Sequence, residues 1–398
     1  MSRLNELIQQ YCPDGVEYKK LEDCCQILDN KRKPITKGAR VAGEYPYYGA
    51  NGVQDYVANY IFDGKYVLVG EDGSVITPSG TPVVNWAEGK IWVNNHAHII
   101  SEKKGVLLRY LFHYLQTINI TPLIHGNIPK LTGGDFRALT IPVPPLSVQE
   151  EIVRILDSFA ELQAELQAEL QKRLQQYNYY RDKLLSFNEL NRWQSVSVEW
   201  KKLGDVCDIK GRIGFRGYTR QDLVEEADGA ITLSPSNIIN QELNYEDCSY
   251  ISWAKYEESP EIKVAVGDVI FTKTASVGKT ALVKYLPKEA TINPQLVVLK
   301  NIQCNPAFLA YVLKTYRFQQ EVAKLQGVGS VPNISQTSLS GITIPIPPLA
   351  EQQRIVSILD RFSTLTTDIT AGLPAEIEAR RKQYEYYRDQ LLTFKQKA

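Results

Sequence analysis

Three short stretches of the chain carry residue types that could act on a nucleic acid or a nucleotide, and each lacks a part the chemistry needs. Asn293-Pro294-Gln295-Leu296 comes nearest to the [DNS]-P-P-[YF] loop that holds a flipped base for methylation. It has no second proline and no aromatic residue, so a turn at a strand is the better reading. Gly278-Lys279-Thr280 ends like a phosphate-binding loop, but GxxxxGK[ST] requires glycine where Lys273 stands. Glu261-Ile262-Lys263, with Asp247 upstream, could close a metal-dependent nuclease motif. No proline precedes that aspartate, and such a triplet arises easily by chance. The histidines at 96, 98, 113 and 125 have no cysteine or carboxylate partners at zinc-ligand spacing. The cysteines at 12, 24, 25, 207, 248 and 304 contain no CxxC pair and read as reduced thiols. The expectation is a chain with no catalytic residue and no metal site of its own.

What remains is contact chemistry. The 398 residues balance 45 basic against 45 acidic side chains, so attraction to a polyanion must be local. Lys31, Arg32, Lys33, Lys37 and Arg40 fall in one loop with Pro34 and Gly38. Lys210, Arg212, Arg216 and Arg220 occupy a Gly-rich stretch. Both loops follow a matching opening, VEYKKL at 16–21 and VEWKKL at 198–203, at the same distance. That coincidence points to phosphate contact; a solvated loop paired to Asp29 or Asp222 is the bland alternative. Tyr45, Tyr47, Tyr48, Asn51 and Gln54 sit beside the first loop, and Tyr218, Ser236 and Asn237 beside or after the second. Asn and Gln can pair with adenine edges and Arg with guanine, although core or turn roles stay open for each, above all for Tyr45 and Tyr48. Lys273 and Lys279 are further candidates. Glu71-Asp72-Gly73, at the corresponding place in the first half, has no comparable basic charge.

Elements that occur twice must position these residues. Ile141–Phe187 is a proline strap followed by about forty residues free of Gly and Pro, with Ile152, Ile155, Phe159, Leu162, Leu166, Leu170 and Leu174 at helical spacing. Ser147 and Glu150 suggest a capping box at its start. The strap and helix recur at Ile344–Phe394, with Ile355, Leu359, Phe362, Leu365, Ile369 and Ile377 as the stripe and Gly372 and Pro374 as an interruption. Strand signals at 66–69, 91–93, 269–271 and 296–299 and helix signals at 106–118 and 308–325 make each half a compact domain. The loops 126–129 and 329–332 match one another.

The predicted fold class is therefore α+β: two tandem β-rich α/β domains separated by two long antiparallel helices, with a pseudo-twofold internal repeat. The expected segments are 1–146, a first recognition domain; 147–190, the first helix; 191–349, a second domain; and 350–398, the second helix. Only about ten residues, 188–197, link the first helix to the second domain. Separate coiled-coil dimers between chains are the alternative use of the stripes. A single chain with two unlike domains on one spacer suits two separated, unlike half-sites on duplex DNA. No run of eighteen apolar residues and no apolar leader core exists, so a membrane span is not expected and a cytoplasmic protein is.

This layout resembles the specificity subunits of type I restriction–modification enzymes. The residues that carry the resemblance are the straps IPVPPLSVQEEIVRILD and IPIPPLAEQQRIVSILD, the helix ends YNYYRDKLLSF and YEYYRDQLLTF, the tandem LQAE units at 162–169 and the two openings. It spans the whole chain. The resemblance implies two target-recognition domains reading a bipartite double-stranded DNA site. It also implies spacer helices that dock two modification subunits, with restriction subunits outside. Ile152, Phe159, Leu162, Leu166, Tyr180, Ile355, Phe362 and Tyr387 would serve that spacer and docking role. Cofactors would then belong to the partners: S-adenosylmethionine to the modification subunit, ATP and Mg to the restriction subunit. A protein-interaction scaffold without DNA contact is the competing reading.

Overall fold

The computed structural model describes residues 3–187, 197–212, 214, 217–327, 331–367 and 372–397. The chain forms two compact units, Met1–Leu166 with Ile377–Ala398, and Gln167–Glu376. Arg216, Ile369 and most of the linker 188–197 lie outside the described residues, as do Gly329 and Ser330.

Each unit is closed by the same ribbon. In unit 1 the opening strand Glu17–Lys20 pairs antiparallel with the strap strand Thr140–Val143, Glu17 opposite Val143. In unit 2 Glu199–Lys202 pairs with Thr343–Ile346 in the same register. Pro142 and Pro345 fit because a two-stranded ribbon leaves an outer edge where a missing N–H breaks no ladder. The sheets repeat as well. Unit 1 orders Gln26–Ile27, Ala97–Ser101, Phe62–Gly70, Val84–Val93, Ala42–Gly49 and Gly52–Val57 in one six-stranded sheet. Unit 2 orders Asp208–Gly211, Leu296–Lys300, Val269–Thr272 and Thr280–Leu282 like the first four. Its counterpart of the long strand Val84–Val93 is split, and the second piece, Ala290–Ile292, pairs in parallel with Gly229–Leu233 in another sheet.

A helix backs each sheet, Leu108–Leu115 in unit 1 and Pro306–Leu313 in unit 2. The single helix expected over 308–325 is two, because Thr315 accepts a hydrogen bond from the Phe318 amide and starts Tyr316–Lys324 afresh. The first long helix runs Leu146–Ser186, 41 residues or about 60 Å. Ser147 lies inside its first turn, so the expected capping box gives way to a different lock. Gln149 is fully buried: its Oε1 accepts from the Leu107 amide at 2.9 Å, and its Nε2 donates to the Pro144 carbonyl at 2.7 Å. Gln352 repeats this with the Asn305 amide at 2.8 Å and the Pro347 carbonyl at 2.7 Å. The second helical segment breaks where Gly372 and Pro374 stand, into Leu349–Thr367 and Leu373–Leu391.

The stripes divide their work. Ile152 and Leu156 join the unit 1 core with Val67, Leu111 and Phe136. Ile355 and Leu359 join the unit 2 core with Phe271, Leu309 and Phe308. Farther along, helices meet in aromatic pairs: Phe159 stacks on Tyr387 at 5.5 Å within unit 1, and Phe362 on Tyr180 at 6.4 Å within unit 2. Leu162 is exposed and Leu166 half-buried. Among the described residues no helix is long and apolar enough to cross a membrane.

A polar contact ties each backing helix to its long helix. In unit 1 His113 Nε2 and Arg109 Nε both donate to Asp157 Oδ1 at 2.8 Å. An ionised carboxylate only accepts, so the proton is on Nε2 and Nδ1 accepts from the Tyr384 hydroxyl at 3.1 Å. In unit 2 Tyr311 takes the place of His113 and donates to Asp360 at 2.5 Å. Burial pushes His113 below its ordinary 6.5. Burial raises the Asp157 carboxyl, but the hydrogen bonds from His113 and Arg109 outweigh it and hold the group below 3.8. Both folded-state values are depressed, so their contribution to stability is fully present above pH 6.5. It falls with pH, first as the buried His113 must take up a proton and then as Asp157 is neutralised, by up to about 1.4 kcal/mol per pH unit for each group. His113→Tyr, copying unit 2, should flatten the fall in melting temperature between pH 6.5 and about 5; an unchanged slope would assign that loss elsewhere.

Candidate nucleic-acid interface

Four loops converge at one edge of each unit, held by matching backbone bonds. In unit 1 the Glu71 amide donates to the His96 carbonyl at 2.9 Å, Leu131 to Glu71 at 2.9 Å, and Gly73 to Pro129 at 3.0 Å. In unit 2 Lys273 donates to Gln295 at 2.8 Å, Ile334 to Lys273 at 2.9 Å, and Ala275 to Pro332 at 2.8 Å. Asn94 and Asn293 each turn the chain by accepting the amide two residues on, at 2.8 and 2.9 Å. Both also donate their backbone N–H across to the strand before the fourth loop, to Tyr48 and Leu233. Asn293-Pro294-Gln295-Leu296 is thus a structural turn, as its sequence suggests. Gly73 and Ala275 hold φ of 82° and 64° at equivalent places; alanine tolerates that region only where the surroundings fix it.

The frame is common and the side chains on it are not. The unit 1 edge forms a recess lined by Asn51, Gln54, Asp72, His96, Ile128 and Lys130. Asn94 Nδ2 orients Gln54 by donating to its Oε1 at 3.4 Å, and His96 pairs with Asp72. In unit 2 Ser236, Ile239, Asn240, Gln241 and Lys279 line a recess. Lys279 Nζ donates to the carbonyls of Pro235 and Ile238 at 3.2 and 3.4 Å. Lys273 is half-buried on its loop, next to Gln295. Sequence reasoning missed His96, Lys130 and Gln295. Lys130 answers the charge deficit noted at Glu71-Asp72-Gly73, because it comes within 3.6 Å of Glu71 from a distant loop.

The structure corrects six candidates, whose side chains the fold takes up. Arg32 turns inward: NH1 donates to Glu71 and to the Ala97 carbonyl, both at 2.6 Å, and Nε to the Asp29 carbonyl. Arg40 pairs with Asp55 at 3.2 Å and lies over the Tyr47 ring at 4.2 Å. Tyr47 is fully buried, its hydroxyl bonded to the Ile35 backbone. Arg212 is buried, donating to Thr291 and the Ile292 carbonyl with Tyr218 over its guanidinium; burial lowers its proton affinity. Tyr218 is thereby committed too, and its hydroxyl accepts from Thr232. Asn237 is buried and staples its own turn through Ser234, Asn244 and Cys248. Lys31, Lys33, Lys37, Arg220, Asn51, Gln54 and Ser236 are exposed.

Asp29, Glu71 and His98 stand close enough to suggest a metal site, but their acceptors and donors are already matched. His98 Nδ1 meets Asp29 at 2.7 Å, Nε2 meets the Leu131 carbonyl at 3.1 Å, and Arg32 and Lys130 neutralise Glu71. Burial raises the Asp29 carboxyl, yet His98, the Ile99 amide and Arg32 together hold it below its usual value. The cluster braces the recess from beneath.

The family model described as the type I restriction modification DNA specificity domain matches twice, over residues 13–176 and 196–379. A Haemophilus influenzae chain named as a type I restriction enzyme specificity subunit is 37% identical, covering 95% of this chain and 96% of its own. The EcoR124I/EcoR124II specificity subunit of Escherichia coli is 36% identical over 72% of this chain and 71% of that one. In fold, the S subunit of the type I system from M. genitalium has a TM-score of 0.53 at 15% identity, covering 95% and 96% of the two chains. A chain from a structure of type I complex assembly and conformational transition reaches 0.56 at 17%, covering 96% and 98%.

The placement of the two kinds of basic residue gives a contrast to measure. Arg32→Ala leaves Glu71 and Asp29 short of a partner in a site only 12–14% exposed, and should cost about 3 kcal/mol in urea unfolding. Lys33→Ala should stay within about 0.5 kcal/mol while lowering the salt slope of DNA binding by roughly one. Equal stability of the two variants would contradict the inward assignment of Arg32.

Proposed function

Because this chain belongs to the type I restriction–modification DNA specificity family, and is a non-catalytic specificity subunit with two target-recognition domains, we propose that the two loop-edged recesses read the two halves of one bipartite, asymmetric duplex site. The observation that carries this is a shared backbone frame bearing different side chains: Asn51, Gln54, His96 and Lys130 in one unit, Ser236, Lys273, Gln295 and Lys279 in the other. A frame fixes how a domain meets a groove, whereas the side chains on it choose the bases. Lys31, Lys33, Lys37 and Arg220 contact phosphate at the flanks.

The long helices act as an antiparallel spacer closed by the two aromatic pairs, and two modification subunits dock on it, one per repeat, with restriction subunits beyond. Methyl transfer from S-adenosylmethionine and ATP- and Mg-dependent cleavage belong to those partners, and the complex works in the cytoplasm. The scaffold reading gives way, since the family is defined by DNA specificity.

Methylation sequencing in cells carrying this chain and its modification subunit should return one bipartite adenine-methylated motif. Exchanging residues 1–140 with those of a relative should alter one half-site and leave the other. A changed pair of half-sites would overturn one-domain, one-half-site reading. Inserting a third LQAE unit after Glu169 adds about 6 Å of helix and should lengthen the unread gap by one or two base pairs, at about 3.4 Å each. An unchanged gap would remove the helix as ruler.

A further inference from the structure

The repeats differ sharply in what occupies one interior space. In unit 1 the Arg109 guanidinium lies 4.8 Å from the Trp86 ring and 4.6 Å from the Phe112 ring while Nε donates to Asp157. Trp86 and Phe112 meet edge to face at 5.9 Å. Strand register, Val67 opposite Trp86 and Val269 opposite Leu282, makes Leu282 the counterpart of Trp86. The paired locks Gln149–Leu107 and Gln352–Asn305 make Ala307 the counterpart of Arg109 and Ala310 that of Phe112. Three large side chains are thus replaced by smaller ones, two of them alanines, and the aspartate is kept as Asp360.

A cavity of about 940 Å3 opens there, lined by Leu282, Ala307, Ala310, Tyr311, Lys314 and Asp360 among others. Small-molecule sites span roughly 300–1,000 Å3. Lys314 adds a cation that unit 1 lacks at that place, where Gln116 stands. Its Nζ donates to the Gln241 carbonyl at 3.4 Å, a long contact. Burial, with Lys284 and Arg181 nearby, outweighs the pull of Glu242 and Asp360 and pushes this ammonium down to about 8, so a further anion beside it would be stabilising.

We propose that this cavity binds a small molecule with a planar guanidinium-type cation at one end and a carboxylate at the other, free arginine being the simplest member. The cation takes the place that Arg109 fills in unit 1 and pairs with Asp360, and the carboxylate meets Lys314. The Asn240–Gln241 turn, which lines the cavity, also lines the recess holding Ser236 and Lys279, so a bound ligand braces that turn.

The test is calorimetric titration of the dialysed full chain with L-arginine, and with agmatine, which keeps the guanidinium and lacks the carboxylate. Arginine should bind with one-to-one stoichiometry, at least tenfold tighter than agmatine. Lys314→Met should erase that difference. Ala307→Arg, which rebuilds the unit 1 arrangement, should abolish binding without lowering the melting temperature; where it does lower it, Ala310→Phe fills the same space without charge and serves instead. No saturable heat at millimolar arginine, which would leave a water-filled void only, overturns the proposal. So does undiminished binding in both filled variants.

Discussion

The first domain is not complete until the sequence is nearly spent. Val16 donates to the Lys395 carbonyl and accepts from the Lys397 amide, both at 2.9 Å, and the Tyr18 hydroxyl donates to Phe394 from 376 residues away. Gly15 makes the approach possible. It holds φ of 100°, and a Cβ there would lie 2.4 Å from the Lys395 oxygen. Leu392 enters the core beside it. Closing so long a loop costs only logarithmically more than closing a short one, and it fixes where the helix Leu373–Leu391 must end. The stacking of Tyr387 on Phe159 and the bond of Tyr384 to His113 follow from that anchor.

Within each unit, what repeats is backbone and what varies is cargo. The strap ribbon, the buried glutamine lock, the aspartate facing the backing helix and the four loop bonds at the recess recur with one geometry. The glutamine lock among them is a contact whose loss would strand buried polar groups. The side chains that differ hang from that frame into solvent or into the interior space that unit 1 fills and unit 2 leaves open. A duplicated recognition module can diverge at such places because neither the loop edge nor the vacated space carries the closure of the sheet.

The doubled strap and helix were legible in the sequence because periodicity and repetition are properties of the string itself. So was the break at Gly372 and Pro374. The direction of a charged side chain is not such a property. Arg32 and Arg40 look like solvent-facing cations in their own loop, but Glu71 and Asp55 reach them through sheet register, 39 and 15 residues on. Arg212 was misread for the same reason, its partners Thr291 and Ile292 lying 79 and 80 residues on, Asn237 because its amide is spent on its own turn, and Tyr47 because a buried tyrosine with a satisfied hydroxyl looks in sequence like an exposed one. His96 and Lys130 went unseen because the loops that bring them together are 34 residues apart. The one available signal was the Asn94 and Asn293 turns at matching places in the two halves.

Electroneutrality then bears on how such a chain could select a site. With Arg32, Arg40 and Arg212 absorbed by the fold, the exposed cations of the two loops among the described residues are Lys31, Lys33, Lys37 and Arg220. Each neutralised phosphate contributes about one unit of salt slope and a share of sequence-independent affinity. So small a set gives weak non-specific holding. On the reading proposed above, that weakness is an advantage, because the ratio of specific to non-specific binding governs site choice in a genome full of competing sequence. On that same reading, polar loops on a rigid frame supply the discrimination, so this chain alone need not bind DNA tightly to determine where the complex stops.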